Sequence, residues 1–174
     1  IMKEKRSVIL RPLCLTDKEL IFNWISDTEL RKMTGTRGIP NIQSHNAWFE
    51  NKLLDQNNEL LIIESNNKPV GIIGTNVIDR LNFNAEMYLY IGEKNEKGKG
   101  IATIAVNNFV QYLVEKYDLH KITARIFSFN LPSIRLFEKC GFQLEGIQKE
   151  HIYQYEEGSY ADLLWYAIIV NKRC

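Results

Sequence analysis

The sequence predicts an α/β (α+β) fold around one mixed sheet, and three observations carry that prediction. Segments with the two-residue period of strands alternate with segments of helical period. No internal repeat, low-complexity stretch or Pro/Gly-rich linker interrupts the 174 residues. Hydrophobic residues make up 45% of the chain and charged residues 25%, which is core material enough to exclude disorder. At about 150 residues per domain the length predicts a single domain over residues 1–174, large enough to need no disulfide or metal staple.

The elements follow in order. Ser7–Leu13 reads as a first strand. Thr16 with Glu19 three residues on forms a capping-box pattern ahead of Leu20, Ile21, Trp24 and Ile25, predicting a helix. A second helix is expected over Thr28–Met33 with a stop at Gly35, then a loop over Thr36–Asn41. Ser44 is the expected cap of a third helix carrying Trp48, Phe49, Leu53 and Leu54. Glu59–Glu64 and Val70–Ile78 read as a strand pair joined by a turn at Asn66-Asn67-Lys68-Pro69. Ala85–Gly92 is the next strand, with Glu86, Tyr88 and Tyr90 on one face and Met87, Leu89 and Ile91 on the other.

A polar turn over residues 93–100 follows, and then Ala102, Val106, Phe109, Leu113 and Tyr117 recur as the stripe of a long amphipathic helix. Lys121–Phe127 is a strand, Pro132–Cys140 a short helix ended by Gly141, and Phe142–Ile152 and Ala161–Val170 are two closing strands.

Composition excludes several function classes. The 22 basic and 21 acidic residues nearly cancel, and no Lys/Arg block is long enough to track a phosphate backbone, so no nucleic-acid partner is expected. Cys14, Cys140 and Cys174 are odd in number and widely spaced, which reads as reduced thiols in a cytoplasmic protein. His45, His120 and His151 are too scattered for a cluster, so no metal is expected. The charged start around Met2 precedes no signal-like run, and Ile1 ahead of it reads as a remnant before the natural start. The longest apolar run, Leu163 to Val170, is far too short for a membrane span, so no membrane partner is expected.

The most informative local pattern is strand, then residues 93–100 (EKNEKGKG), then long helix. A helix N-terminus offers unpaired N–H groups and partial positive charge, and a glycine turn lets a phosphate approach them. Lys97 and Lys99 add charge without being required as ligands. A Walker A loop is excluded, because five residues separate Gly92 from Gly98 and Gly100 stands where a hydroxyl is needed. A dinucleotide fingerprint is excluded too, since Gly98-Lys99-Gly100 continues as Ile101-Ala102-Thr103. By itself the turn fits equally an ordinary strand-to-helix connection.

A second motif lies one strand and one helix later, NLPSIRLFEKCGF at residues 130–142. In this order and spacing the chain resembles the GNAT superfamily of acetyl-CoA-dependent N-acetyltransferases, in the branch resembling RimJ/RimL and spermidine acetyltransferases. NEKGKGIA at residues 95–102 is similar to the family's (Q/R)xxGx(G/A) pyrophosphate loop, with Asn95 at the usual Gln/Arg position. ILRPL, NAEMYLYIG, FQLEG and GSYADLLWYAII extend the likeness over almost the whole chain.

The resemblance implies a twisted, mostly antiparallel sheet of about seven strands, flanked by helices and splayed between the fourth and fifth strands. It also implies acetyl-CoA as acetyl donor and direct transfer to a primary amine. The acceptor would be a small molecule (amino sugar, polyamine or aminoglycoside) or a protein N-terminus. Pyrophosphate would rest on the N–H groups of Lys97, Gly98, Lys99, Gly100, Ile101 and Ala102. Pantetheine would pair with backbone at Tyr90 and Ile91, and Asn130 would bond its arm, with Ser133 nearby.

An amine must be neutral to attack a thioester, so a base is required, and the resemblance gives that role to Glu86. Glu150 is a weaker alternative, and the fifth-strand position where other members carry a base is Arg125 here. Many relatives have Tyr where this chain has Phe137, which leaves Ser133 or water to protonate the thiolate. Ser133 reads equally as a helix cap. Tyr88 and Tyr90, on the face of Glu86, could line the acceptor site, but more often such tyrosines pack. Cys140 reads most simply as packing, and Glu156-Glu157 as a solvated turn rather than an attractor of a polycation. A non-catalytic acetyl-CoA-sensing module is the alternative function, with Phe137 its only support. Asp17–Leu54, including Thr36–Asn41, and Gln154–Tyr160 are the expected acceptor-binding segments. Dimers are common in the family, so the resemblance also admits a homodimer.

Overall fold

The structure is a computed structural model that describes residues 6–170. The readings of Ile1, Met2 and Cys174 lie outside the described residues. The chain runs β1 (Val8–Pro12), α1 (Asp17–Ile25), α2 (Thr28–Thr34), α3 (Ile42–Leu54), β2 (Leu60–Ser65), β3 (Lys68–Asp79) and β4 (Asn84–Ile91). A 3₁₀ turn (Lys94–Glu96) leads to α4 (Ile101–Tyr117), β5 (Lys121–Phe127), α5 (Leu131–Lys139), β6 (Gln143–Gln154) and β7 (Ser159–Ile169). The seven strands take the order β1-β2-β3-β4-β5-β7-β6, mixed and mostly antiparallel. The predicted fold class is therefore the observed one.

Contacts divide the chain into two compact units. Among the described residues the first draws on residues 6–74 and Leu89–Ala105, the second on Thr75–Tyr88 and residues 106–170. β3, β4 and α4 each run through both.

In the first unit, β1 pairs with β2 and β2 with β3, all antiparallel. Its core gathers Ile21 and Trp24 of α1, Leu30 of α2, Phe49 of α3 and Ile62, Ile63, Ile72 and Ile73 of the strands. Each such side chain contributes about 1.5–3 kcal/mol by leaving water. The β2–β3 turn is tighter than expected. Asn66 and Asn67 alone make it, with φ 50° and 62°, and Lys68 and Pro69 already belong to β3. Asn is among the residues that adopt this left-handed region, and two such residues suit a primed hairpin turn.

Two helix caps differ from the sequence reading. Thr16 makes no capping hydrogen bond; instead Asp17 accepts from the Cys14 N–H at 2.8 Å and from Arg11. Thr16 keeps the N-cap position, but its backbone is already helical (φ −68°, ψ −16°) and its hydroxyl meets Cys14 Sγ at 3.0 Å instead of a first-turn N–H. Ser44 is likewise not the cap of α3: Asn41 is, accepting from the Ser44 N–H at 3.0 Å. Gly35 ends α2 at φ 72°, as expected.

In the second unit, β7 lies between β5 and β6, antiparallel to both. β4 pairs parallel with β5 at Asn84, Ala85 and Glu86, then continues to Ile91 past this register. The core holds Met87, Val106, Phe109, Leu113, Leu119, Ile122, Phe137, Phe142 and Tyr166. Along α4 the buried stripe is Ile101, Ala105, Val106, Phe109 and Leu113, while Ala102 and Tyr117 are only half-buried. The expected stripe was set one position too far along at its first turn.

Candidate active site

The first unit contains the turn between β4 and α4. β4 ends where the Gly92 and Glu93 N–H groups both donate to the Val70 carbonyl, at 2.8 and 3.1 Å. A Cβ on Gly92 would lie 2.2 Å from the Trp24 ring, so only glycine lets the indole rest on the chain here. Trp24 Nε1 in turn donates to Glu93 Oε1 at 2.7 Å, and the ring meets Tyr90 edge-on at 6.3 Å.

The 3₁₀ turn follows, pinned by Lys94 to Asp27 and by Glu96 to Arg6 and Lys99 at 2.9 and 3.2 Å. The Lys94 ammonium, then the Leu30 N–H, hold the Asp27 carboxyl below its usual value, and Asp27 raises Lys94 in return. Of the basic residues in the loop, Lys99 is thus spent on Glu96, whereas the exposed Lys97 uses its N–H on the Lys94 carbonyl at 3.3 Å and its ammonium makes no hydrogen bond among the described residues.

Gly98 and Gly100 close the turn at φ +74° and +81°, the region that favours glycine. A Cβ on either would meet nothing within 4 Å, so the main chain is bare on that side. α4 starts at once, and its first turn contains no acidic residue. The first-turn N–H groups of an α-helix have no intrahelical acceptor. Open left-handed glycines before a 17-residue helix therefore fit the diphosphate of acetyl-CoA through main-chain donors. Tyr90 and Ile91 are half-buried at the end of β4.

The second unit holds the acid–base candidates. Glu86 is 8% exposed, and its Oε1 accepts from Asn76 Nδ2 of β3 and Arg125 Nε of β5, both at 2.8 Å. Both bonds fall on one oxygen, which leaves Oε2 able to accept a proton. Arg125 also stacks on Trp165 of β7, its direct register partner, with 5.4 Å from Cζ to the ring centroid. One side-chain row thus crosses β3, β4, β5 and β7. The sequence reading singled out Glu86 and Arg125 separately and missed Asn76 and Trp165; their polar and aromatic character within strand runs was the available signal.

At the start of α5, Asn130 is the N-cap, accepting from the Ser133 N–H at 3.2 Å, with Pro132 in the first turn. Ser133 is therefore not the cap, and its half-buried hydroxyl makes no hydrogen bond among the described residues. Phe137 is 3% exposed, edge-on to Phe142 at 4.9 Å. Burial pushes the Cys140 thiol above its ordinary value, so it is a poor nucleophile and serves packing. Glu150 is exposed on a bulge of β6, with φ 49° and its N–H on Asp162 at 2.9 Å. Among the described residues no three His, Cys, Asp or Glu side chains could hold a metal ion, and no helix is long and apolar enough to cross a membrane.

Residues 7–143 match the family model of the acetyltransferase (GNAT) domain. The chain is 32% identical over 143 residues to the SPbeta prophage-derived uncharacterized N-acetyltransferase YokL of Bacillus subtilis, covering 82% of this chain and 79% of that protein. It is 25% identical over 171 residues to the spermidine N(1)-acetyltransferase of Vibrio cholerae, covering 90% and 96% of the two. The crystal structure of spermidine N-acetyltransferase from Vibrio cholerae with CoA and spermine superposes with a TM-score of 0.85 at 23% identity, over 93% of this chain and 95% of that one. The chain belongs to the GNAT acetyltransferase family. It is an N-acetyltransferase with acetyl-CoA as its acetyl donor, acting on an amine.

Proposed function

We propose that the 174 residues act as one cytoplasmic acetyltransferase domain that moves an acetyl group directly to the primary amine of a small molecule. The observation that carries this reading is the open Gly98/Gly100 turn set directly before α4. N–H groups from Gly98 to Ala102 hold the diphosphate, with the backbone of Tyr90 and Ile91 along the pantetheine arm, while the Lys97 N–H is spent on the Lys94 carbonyl.

Glu86 Oε2 takes the proton from the acceptor amine, directly or through one water, while Asn76 and Arg125 fix the carboxylate by its other oxygen. As the amine nitrogen bonds to the acetyl carbon, the C–S bond breaks and the sulfur leaves with its electron pair. Ser133 Oγ supplies the proton for that thiolate and is replenished from water. The unspent Ser133 hydroxyl supports a donor in this chain despite Phe137, which removes the support for a non-catalytic module.

A homodimer is proposed with it. The last strand in the sheet order, β6, exposes Leu144 and Ile147 at 46% each, and an edge of this kind is a pairing surface.

The test is a panel of amines with acetyl-CoA and a free-thiol readout. Thiol release that depends on an amine supports transfer. CoA binding with no release on any amine would leave only a binding module. Light scattering in solution checks the dimer, and one cooperative unfolding transition checks the single domain.

A further inference from the structure

The arginine beside Glu86 narrows the acceptor. Arg125 uses Nε to bind Glu86, and its Cζ lies over the Trp165 ring at 5.4 Å from the centroid. Its side chain is 41% exposed, and neither Nη carries a hydrogen bond or ion pair among the described residues. Those two nitrogens form the edge that matches a carboxylate or phosphate oxygen pair. Arg125 also lies two residues past Thr123, the last position of β5 in register with β4. The cation–π contact with Trp165 and the Nε bond restrain the fork, so less side-chain entropy is lost when it binds.

Charge balance points the same way. While Glu86 is ionised, it neutralises Arg125. Once Glu86 accepts the amine proton, the guanidinium charge is uncompensated, and an anionic group on the acceptor restores the balance. A polycation would instead add like charge beside it.

We infer that Arg125, held by Trp165, is an acceptor subsite for an anionic group, so that the substrate is an amine bearing a carboxylate or a phosphate rather than a polyamine. This rests on the reading of Glu86 as the base.

The experiment measures kcat and KM for thiol release at saturating acetyl-CoA. One matched pair is an amino acid and its amide, another is glucosamine 6-phosphate and glucosamine, and spermidine represents polycations. In the wild type, at least one anionic member should exceed its neutral partner by about tenfold or more in kcat/KM. Which pair does so distinguishes carboxylate from phosphate. Arg125→Gln should erase that preference through KM, and Arg125→Lys should restore it only in part, because it keeps the charge and loses the fork.

Equal or better turnover of the neutral members or of spermidine by the wild type would overturn the inference, whether or not the variants fold. So would an unchanged preference in Arg125→Gln. Release with spermidine alone would leave the acetyltransferase intact and sink only this subsite, whereas no release with any amine would sink both.

Discussion

The turn before α4 and the row from Asn76 to Trp165 are built from different materials. In the turn, the proposed binding rests on glycine conformation and main-chain N–H groups, and the nearby side chains are occupied elsewhere: Lys94 with Asp27, Lys99 with Glu96, Trp24 with Glu93. In the row, each contact is between named side chains, and Glu86 depends on two neighbours for its position. A main-chain site tolerates changes of side chain and fails on changes of backbone. A side-chain site behaves the opposite way.

The largest expected effect is on the turn. Gly98→Glu forces a Cβ onto φ +74° and puts a negative charge at the proposed diphosphate cradle, so acetyl-CoA affinity should fall at least about a hundredfold by calorimetry. Lys97→Ala should cost only a few-fold. Comparable losses in the two variants would mean that side-chain charge dominates, which would erase the contrast.

Next is the row. Glu86→Gln keeps an acceptor for Arg125 but cannot take a proton, so turnover at neutral pH should drop about a hundredfold with acetyl-CoA affinity unchanged. The pH–rate profile should lose its acidic limb; an unaltered profile would remove Glu86 from the chemistry. A smaller effect is expected of Ser133→Ala, which should slow thiol release by about three- to tenfold because water replaces the hydroxyl. Wild-type turnover in that variant would assign the proton to water.

The smallest effect is on stability, away from both regions. Burial works against the Asp17 charge, but Arg11 and the Cys14 N–H outweigh it and hold the carboxyl below its ordinary value. A depressed carboxyl stabilises the fold above the unfolded value of about 3.9 and loses that contribution as pH falls through the folded value. Asp17→Asn should therefore cost about 1 kcal/mol at pH 7, a figure held down by solvent screening at the partly exposed Arg11. The difference from wild type should begin to shrink below about pH 4 and vanish only below the depressed folded value in acid-unfolding curves. A constant difference would mean that packing, not charge, sets the effect.

The same division explains what could be read from the chain. The form of the Gly98-Lys99-Gly100 turn was legible because glycine spacing between a strand and a helix is a local pattern. That the fourth and fifth strands are neighbours followed only from the family likeness, because parallel pairing joins residues far apart in sequence, and the strand order came from the structure. Glu86 could be named, but its anchors could not: Asn76 and Arg125 are ten and thirty-nine residues away and meet it only across strands. The caps failed for a related reason. Thr16 and Ser44 fit a local rule, yet Asp17 binds Arg11 of β1, and Asn41 sits three residues ahead of Ser44 and takes its N–H. Ser133 shows the reverse case, where the cap fell to Asn130 and left the hydroxyl unspent.

A calorimetric comparison of CoA with pantetheine, which lacks the diphosphate, tests the main-chain cradle most directly. The expected result is that CoA binds and that pantetheine binds at least about a hundredfold more weakly. Equal affinity for the two would mean that the Gly98/Gly100 turn holds no phosphate.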